Sequence, residues 1–425
     1  MRVKNSGFPI EPVTPPTVKK ELQTFRALRH RNFGILWISL IISSIGTWMQ
    51  IVAQSLLVLK ITHNSALALG TVSLAQATSF FLFALVGGSF ADRIDKRRLL
   101  FFTQSLSMIL AFVLGVLTFT GVVQVWMIVL IAFCSGTVLS FDQPTRSALI
   151  PVLVPREDLM NAISLQSIVF NGSAVVGPAL GGITIGLIGY AGNFFLNSAS
   201  YLAVLIALFF LHVPKEAAAL STEKRGPMLA QIRASLATVG RDEALPWILS
   251  GYGALLFFGP STSLILPLFA LQILHLNPFQ VGLLFSAAGL GTIIGALSIA
   301  TLGDFQYKGW LLLVSFLVWA FALLLFALSH VLWLSMLALL LFGLAQNGVG
   351  ATTITLMQTR VPPQMRGRVM SLNTLFIMGV RPLGDFPAGA LIGLIGGPLT
   401  VVISAAIVGS YTLFLLGARP VIRGL

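Results

Sequence analysis

Twelve apolar stretches, each about 20 residues or longer, recur along the chain, and charged residues fall almost wholly in the gaps between them. Their cores lie at 34–59, 67–90, 99–120, 125–145, 160–189, 193–212, 247–273, 279–302, 310–329, 332–357, 370–396 and 399–417. An apolar run of this length crosses a bilayer as a helix, because a helix satisfies its own backbone groups where no water can reach them. Of the 425 residues only 9% are charged, against roughly a quarter in a soluble domain. The pattern therefore predicts an all-α membrane protein of twelve transmembrane helices.

A net charge of +13 would suit a nucleic acid if it formed one patch, but the basic residues are spread by another rule. With both termini set in the cytoplasm, the N-terminal tail carries seven Lys or Arg. The five loops on that side carry four, two, five, one and three, and the C-terminus carries two. These make 24 of the 26; only Lys60, in an outer loop, and Arg381, inside a helix, fall elsewhere. That is the positive-inside pattern, which sets the charge against anionic lipid on the cytoplasmic side rather than against a polynucleotide.

The expected organisation is a tail at 1–32, a six-helix bundle at 33–213, a cytoplasmic loop at 214–245, a second six-helix bundle at 246–418 and a short tail at 419–425. About thirty polar and Pro-rich residues precede the first apolar run, which is itself long enough to span, unlike a signal peptide. Within the central loop, Leu229, Ile232, Leu236 and Val239 recur at helical spacing. A surface amphipathic helix and a plain linker fit that loop equally.

Catalytic signatures are missing. One cysteine, Cys134, permits neither a disulfide nor a cysteine metal cluster within the chain, and the five histidines form no His-x-x-x-His pair. No nucleophile elbow, zinc-protease motif or phosphate-binding loop is present. The expectation is no enzyme, no metal and no cofactor.

A weak repeat links the two halves. Gly70, Asp92 and Lys96 align with Gly282, Asp304 and Lys308 at an offset of 212, and Pro155 and Ser164 align with Pro362 and Ser371 at 207. Helices 2 and 8 thus correspond, as do helices 5 and 11, in two parallel six-helix repeats.

Between the second and third stretches, residues 88–98 hold Asp92, Arg93, Asp95, Lys96, Arg97 and Arg98. Charge this dense must lie in water at a membrane surface. Gly88, one turn before Asp92, leaves bare backbone for another helix to approach. A topology signal with nothing to gate is the simpler alternative. The order Gly88, Asp92, Arg93, Lys96, Arg97 resembles the signature loop of the major facilitator superfamily, with Phe90 and Asp95 in place of the usual Leu and Gly.

Further stretches sharpen the likeness. RNFGILW, Gly46-Thr47-Trp48-Met49-Gln50, SALALG, FDQPTRSALIPVLVPREDLMNAISLQS and VPPQMRGRVMSL, followed by Pro382-Leu383-Gly384, resemble the enterobactin-exporter-like branch of that superfamily. Gly177, Pro178, Gly181 and Gly182 resemble the Gly-Pro-x-x-Gly-Gly signature of drug:proton antiporters, although Ala174 stands where the branch commonly has Arg. Physically, the motif supplies a kink and a smooth face; structure-only packing is the competing account.

The resemblance implies alternating-access export of a siderophore, antibiotic or related small amphiphile across the cytoplasmic (inner) membrane of a bacterium. It also implies a proton gradient as energy source and a monomer. In such transporters helices 1, 4, 7 and 10 line the cavity, so Gln50, Gln54, Asp142, Tyr252, Gln346 and Asn347 become candidate lining. When the cavity faces out, Asp92 would meet the cytoplasmic end of helix 11, with Asp142 relaying to Arg93 or Arg97. An uptake permease for a nutrient or lipid precursor, and a non-transporting receptor or scaffold, are the alternatives.

Two pairs of charges stand one helical turn apart: Asp142 with Arg146 at the end of the fourth stretch, and Arg381 with Asp385 inside the eleventh. Ionisable groups cost about 2.5–3.5 kcal/mol or more at the bilayer centre unless paired or wet. Both are candidate proton-coupling pairs, and in each case a static, self-neutralising ion pair is the competing reading. Asp385 is the only carboxylate expected well inside the bilayer.

Overall fold

The computed structural model describes residues 23–211, 235–303 and 305–425; Asp304 and most of the central loop lie outside them. No strand occurs among the described residues. Eleven helical stretches are long and apolar enough to cross a membrane. One of them, Leu159–Phe210, turns back at Gly189, whose φ of 73° is open to glycine but strained for other residues. It is two crossings, and the total is twelve.

In chain order α1 is Arg31–Ile61, α2 Ala66–Arg93, α3 Lys96–Phe119 and α4 Val125–Leu153. Next come α5 at 159–188 and α6 at 190–210. The second half has α7 in two pieces, Leu245–Phe258 and Thr262–Gln272, then α8 Pro278–Leu302, α9 Lys308–Ala327 and α10 Leu332–Arg360. It ends with α11, made of Pro363–Leu375, Phe376–Val380 and Arg381–Ile395, and α12 Gly397–Ala418. Local signals start several helices. Asp95 caps α3 by accepting from Arg98 N at 2.8 Å, and Asn277 with Gln280 forms a capping box on α8, where Pro278 takes the first position.

Three elements depart from the apolar pattern. Helix α4 runs past residue 145 to Leu153, through Pro144 and Pro151. Helix α7 breaks at Gly259, Pro260 and Ser261: Gly259 N closes the first piece on Leu255 O, and Ser261 caps the second. Helix α11 has a π-helical turn at Phe376–Val380. Apolar periodicity is blind to all three, because the residues on either side of each irregularity are equally apolar. Of the central loop only 235–240 is described at its helical end, with Val239 buried and Leu236 exposed.

The two halves meet along two seams, α2 against α11 and α5 against α8, and both are made backbone to backbone. A methyl group on Gly282 of α8 would strike the Pro178 carbonyl of α5; one on Gly70 of α2 would meet Asp385 O of α11 at 2.8 Å. Gly182 likewise faces Pro278 O, and Gly389 faces Ala66 O. Within the halves, Gly177 abuts Ile45 O of α1 and Gly384 abuts Phe257 O of α7. Each of these three pairs of contacts is related by the 212- and 207-residue offsets, so the weak sequence repeat is the trace of duplicated close approaches.

The seams run from the face opposite the termini down to Phe81 against Gly379 and Ala174 against Gly289. At that outer face Gln272 Nε2 of α7 donates across the halves to Asn64 O at 3.2 Å.

On the face bearing the termini, each half is fastened by one clamp. Arg26 Nε and His30 Nε2 meet Asp158 at 2.9 and 2.8 Å, tying the entry of α1 to the α4–α5 link. In the second half the charges are exchanged: Arg360 Nε, at the end of α10, meets Asp242 Oδ2 at 2.9 Å just before α7. Burial alone would raise the Asp242 carboxyl. The Leu245 and Ala244 N–H groups and the Arg360 guanidinium outweigh it and hold the group below its ordinary value.

Two outcomes follow from this packing. Gly282→Val should lower the thermal midpoint of the purified protein, as overpacking costs about 1–3 kcal/mol, whereas Gly172→Ala, with nothing within 4 Å, should not. Because the Asp242 carboxyl is depressed in the folded state, its contribution is present above the unfolded carboxylate pKa and is lost as pH falls through the folded value. The midpoint deficit of Asp242→Asn should therefore be constant near neutrality and shrink below about pH 4.

Candidate functional site

The break in α7 gives the membrane interior a helix N-terminus, and α11 presents a carboxylate to it. Ser261 N donates to Asp385 Oδ1 at 2.8 Å, and Ser73 Oγ of α2 donates to Asp385 Oδ2 at 2.9 Å. Asp385 is 2% exposed. One side chain thus joins α2, α7 and α11, and with them both halves. The arrangement is a fixed anion site: an amide N–H, the positive end of an 11-residue helix and a hydroxyl all point at the carboxylate. The Ser73 bond is the cross-half component, so any movement that parts α2 from α11 must break it.

Arg381, one turn earlier, does not pair with Asp385; no ion pair within 4.0 Å joins them. The competing reading, a self-neutralising ion pair, is therefore not what the structure forms here. Both Asp385 oxygens are taken, and the long arginine stem carries its guanidinium to α10. There the Gln346 amide oxygen accepts from Nη1 at 3.1 Å and Nη2 at 2.7 Å. Arg381 Nε is buried with no hydrogen-bond partner. Tyr252 of α7 is buried close by, its ring 5.9 Å from that of Phe376 in the π turn.

The helix 4 pair is built differently. Arg146 Nη2 lies 2.6 Å from Asp142 Oδ2, while Thr103 Oγ1 and Gln104 Nε2 of α3 donate to Asp142 Oδ1 at 3.0 and 2.6 Å. Asp142 is therefore turned toward α3, a correction to its expected place in the cavity lining. Nor does it meet Arg97, whose Nε and Nη2 donate to the Leu208 and Phe209 carbonyls at 2.5 and 2.6 Å, at the end of α6. Lys96 opens α3. The side chains of Gly88, Asp92 and Arg93 lie outside the described residues.

The other expected lining residues scatter. Gln50 accepts from Asn197 Nδ2 of α6 at 2.6 Å, and Ser200 Oγ steadies the Asn197 carbonyl at 3.0 Å. Gln54 is half-buried. Asn347 abuts Gly295 of α8, while Gln346 beside it reaches Arg381. In α5, Gly177 and Gly181 face α1, and Pro178 and Gly182 face α8, so the four motif residues serve both an internal and a between-half contact.

Sequence reasoning missed Ser73, Ser261, Thr103, Gln104 and Asn197. For Ser261 a signal existed: a Gly-Pro dipeptide inside an apolar run marks a break. The serine, threonine and amide partners carry no such mark, because hydroxyls on membrane helices commonly bond their own backbone.

Twelve helices in two repeated halves, joined at seams of close backbone contact and one interior carboxylate, define a major facilitator transporter. The chain matches the family described as transmembrane secretion effectors over residues 22–420 and belongs to it. Among curated proteins it is 27% identical over 382 residues to the enterobactin exporter EntS of Citrobacter koseri, covering 89% of each chain. It is 28% identical over 385 residues to that of Salmonella paratyphi A, with the same coverage. Among solved structures it resembles a POT family transporter in complex with 5-aminolevulinic acid (TM-score 0.74, 14% identity, 92% of this chain and 96% of that one). It also resembles the nucleoside transporter NupG (TM-score 0.72, 14% identity, 90% and 100%). The protein is thus a multi-pass membrane transporter.

A bond to a charged acceptor is worth about 1.5–3 kcal/mol, so Ser73→Ala should weaken the seal opposite the termini by about tenfold or more in population. With Cys134→Ser and Ala66→Cys as reporter, thiol labelling at the 3%-exposed seam position should accelerate in the Ser73→Ala background. An unchanged labelling rate would show that the seam is held by packing alone.

Proposed function

We propose that this transporter is a proton-driven exporter of a small amphiphile of the siderophore or antibiotic kind, working as a monomer in the inner membrane of a bacterium. The basic face and both termini lie in the cytoplasm, in keeping with 24 of 26 basic residues on that side. Export is supported by the secretion family and by relatives named for enterobactin export.

The observation that carries the coupling is the bond from Ser73 to Asp385 across the halves. With the outer face sealed, the carboxylate is held by Ser73 and Ser261 N. When α2 parts from α11, Ser73 leaves and outside water takes its place. A carboxylate with different partners in two states has different proton affinities in them, which is the thermodynamic requirement for coupling. Proton entry from outside and cargo release to the outside then belong to the same half of the cycle. The glycine seams give this movement a surface without side chains to unlock. Asp92 and the basic residues after it are proposed to hold the cytoplasmic end of α11 when the cavity faces outward.

Inside-out vesicles test the reading. Enterobactin, as first cargo, should accumulate under an imposed pH gradient and leak away on addition of a protonophore. Asp385→Asn should abolish the gradient's effect while leaving binding within about threefold of wild type, since the amide oxygen can still accept from Ser261 N and the amide nitrogen can donate to Ser73 Oγ. Wild-type pH-driven export in that variant would move the proton site elsewhere, and binding without flux in wild type would make the protein a receptor.

A further inference from the structure

Arg381 is a charge the coupling scheme does not use. Its neighbour Asp385 is committed to Ser73 and Ser261 N, and no carboxylate of the described residues lies within ion-pair distance of the guanidinium. Its nearest partners are neutral, the Gln346 amide oxygen from α10 and the Tyr252 phenol from α7, while the charge of Asp385 reaches it only through space. Gln346 accepts from both terminal nitrogens, but an amide oxygen carries only a partial charge. The Nε–H, the third donor along the guanidinium's edge, is buried with no partner. An arginine in the membrane interior is costly, and the usual relief is an opposite charge. Here the structure supplies the hydrogen-bond geometry of an anion without the charge. The residue is only partly exposed, and its hydrogen-bond partner comes from α10.

We infer that Arg381 and Gln346 form a recognition site for an acidic group on the cargo, a carboxylate or an ionised phenol attached to an apolar body. Gln346 is the neutral placeholder: its oxygen occupies the guanidinium until the acid displaces it, after which its amide nitrogen can donate to the acid. A planar guanidinium holds a carboxylate through two parallel N–H bonds, the geometry that an ammonium cannot copy. Tyr252 and Phe376 provide the aromatic wall beside the acid. The site deepens the export reading and rests on it for the word cargo, but the binding itself requires neither a gradient nor a direction.

The test is equilibrium binding by calorimetry to the purified full chain in nanodiscs, with 2-naphthoate and its neutral isostere 2-naphthamide as probes. Empty nanodiscs are subtracted to remove partition into lipid. Wild type should bind the acid at least about tenfold more tightly than the amide. Arg381→Gln should bring the two to equal affinity, and Arg381→Lys should restore part of the difference. Because Arg381→Gln could destabilise the bundle, Gln346→Glu serves as a second variant: it keeps the cation but fills its place with a built-in anion, and should also erase the preference. Equal binding of acid and amide by wild type overturns the inference. So does a preference that survives both variants, or failure of 2-naphthoate to bind at millimolar concentration. Failure of pH-driven export with the acid preference intact would instead discard the transport reading and leave this site standing.

Discussion

Two bundles of helices in a bilayer gain nothing from hiding apolar surface from each other, since lipid offers the same contact. What holds the halves together must therefore be close packing and a few polar bonds, and the seams are built accordingly. Gly70, Gly182, Gly282 and Gly389 let backbone meet backbone across α2–α11 and α5–α8. Dispersion grows with the number of atoms in contact, so removing side chains at these four places brings whole helices within range. A seam without interdigitated side chains is also one along which helices can rock without unlocking anything, as alternating access requires.

The symmetry of these contacts has one meaningful break. The position that Pro178 holds in α5 is held by Asp385 in α11 under the repeat offset. In the first half that place carries a residue with no polar side chain, and the hydrogen bond across that seam runs instead from Ser286 Oγ of α8 to the Val175 carbonyl of α5. In the second half it carries a carboxylate, and the same seam acquires a hydrogen bond from Ser73 and a helix N-terminus at Ser261. The close approach is thus present twice, and only one of the two copies carries a carboxylate at this position. The break in α7 belongs to this arrangement, for without Gly259 and Pro260 the Ser261 N–H would be spent on the helix's own ladder.

The terminal clamps show the same logic of equivalent place and different chemistry. Asp158 receives Arg26 and His30 in one half; Asp242 receives Arg360 in the other. Each fastens the start of a half's first helix to the end of its fourth, or the link that follows it, at the face bearing the termini. The polarity is exchanged: the carboxylate lies after the fourth helix in one half and before the first helix in the other.

Much of this was determined by the sequence alone. Helix number follows from apolar length, the pairing of halves from the repeat, and the family from motif order, because each depends on spacing along the chain. The prominence of Asp385 and Arg381 was equally legible, since charge within an apolar run stands out against its background. Their partners were not. A one-turn spacing makes Arg381 and Asp385 neighbours on a helix, yet it says nothing of whether α2, α7 or α10 offers either group a better bond. Only the tertiary structure decided that Asp385 binds Ser73 and Ser261, that Arg381 turns to Gln346, and that Asp142 looks toward Thr103 and Gln104 on α3. Such choices are made among groups more than thirty residues apart, by distances that no local pattern records.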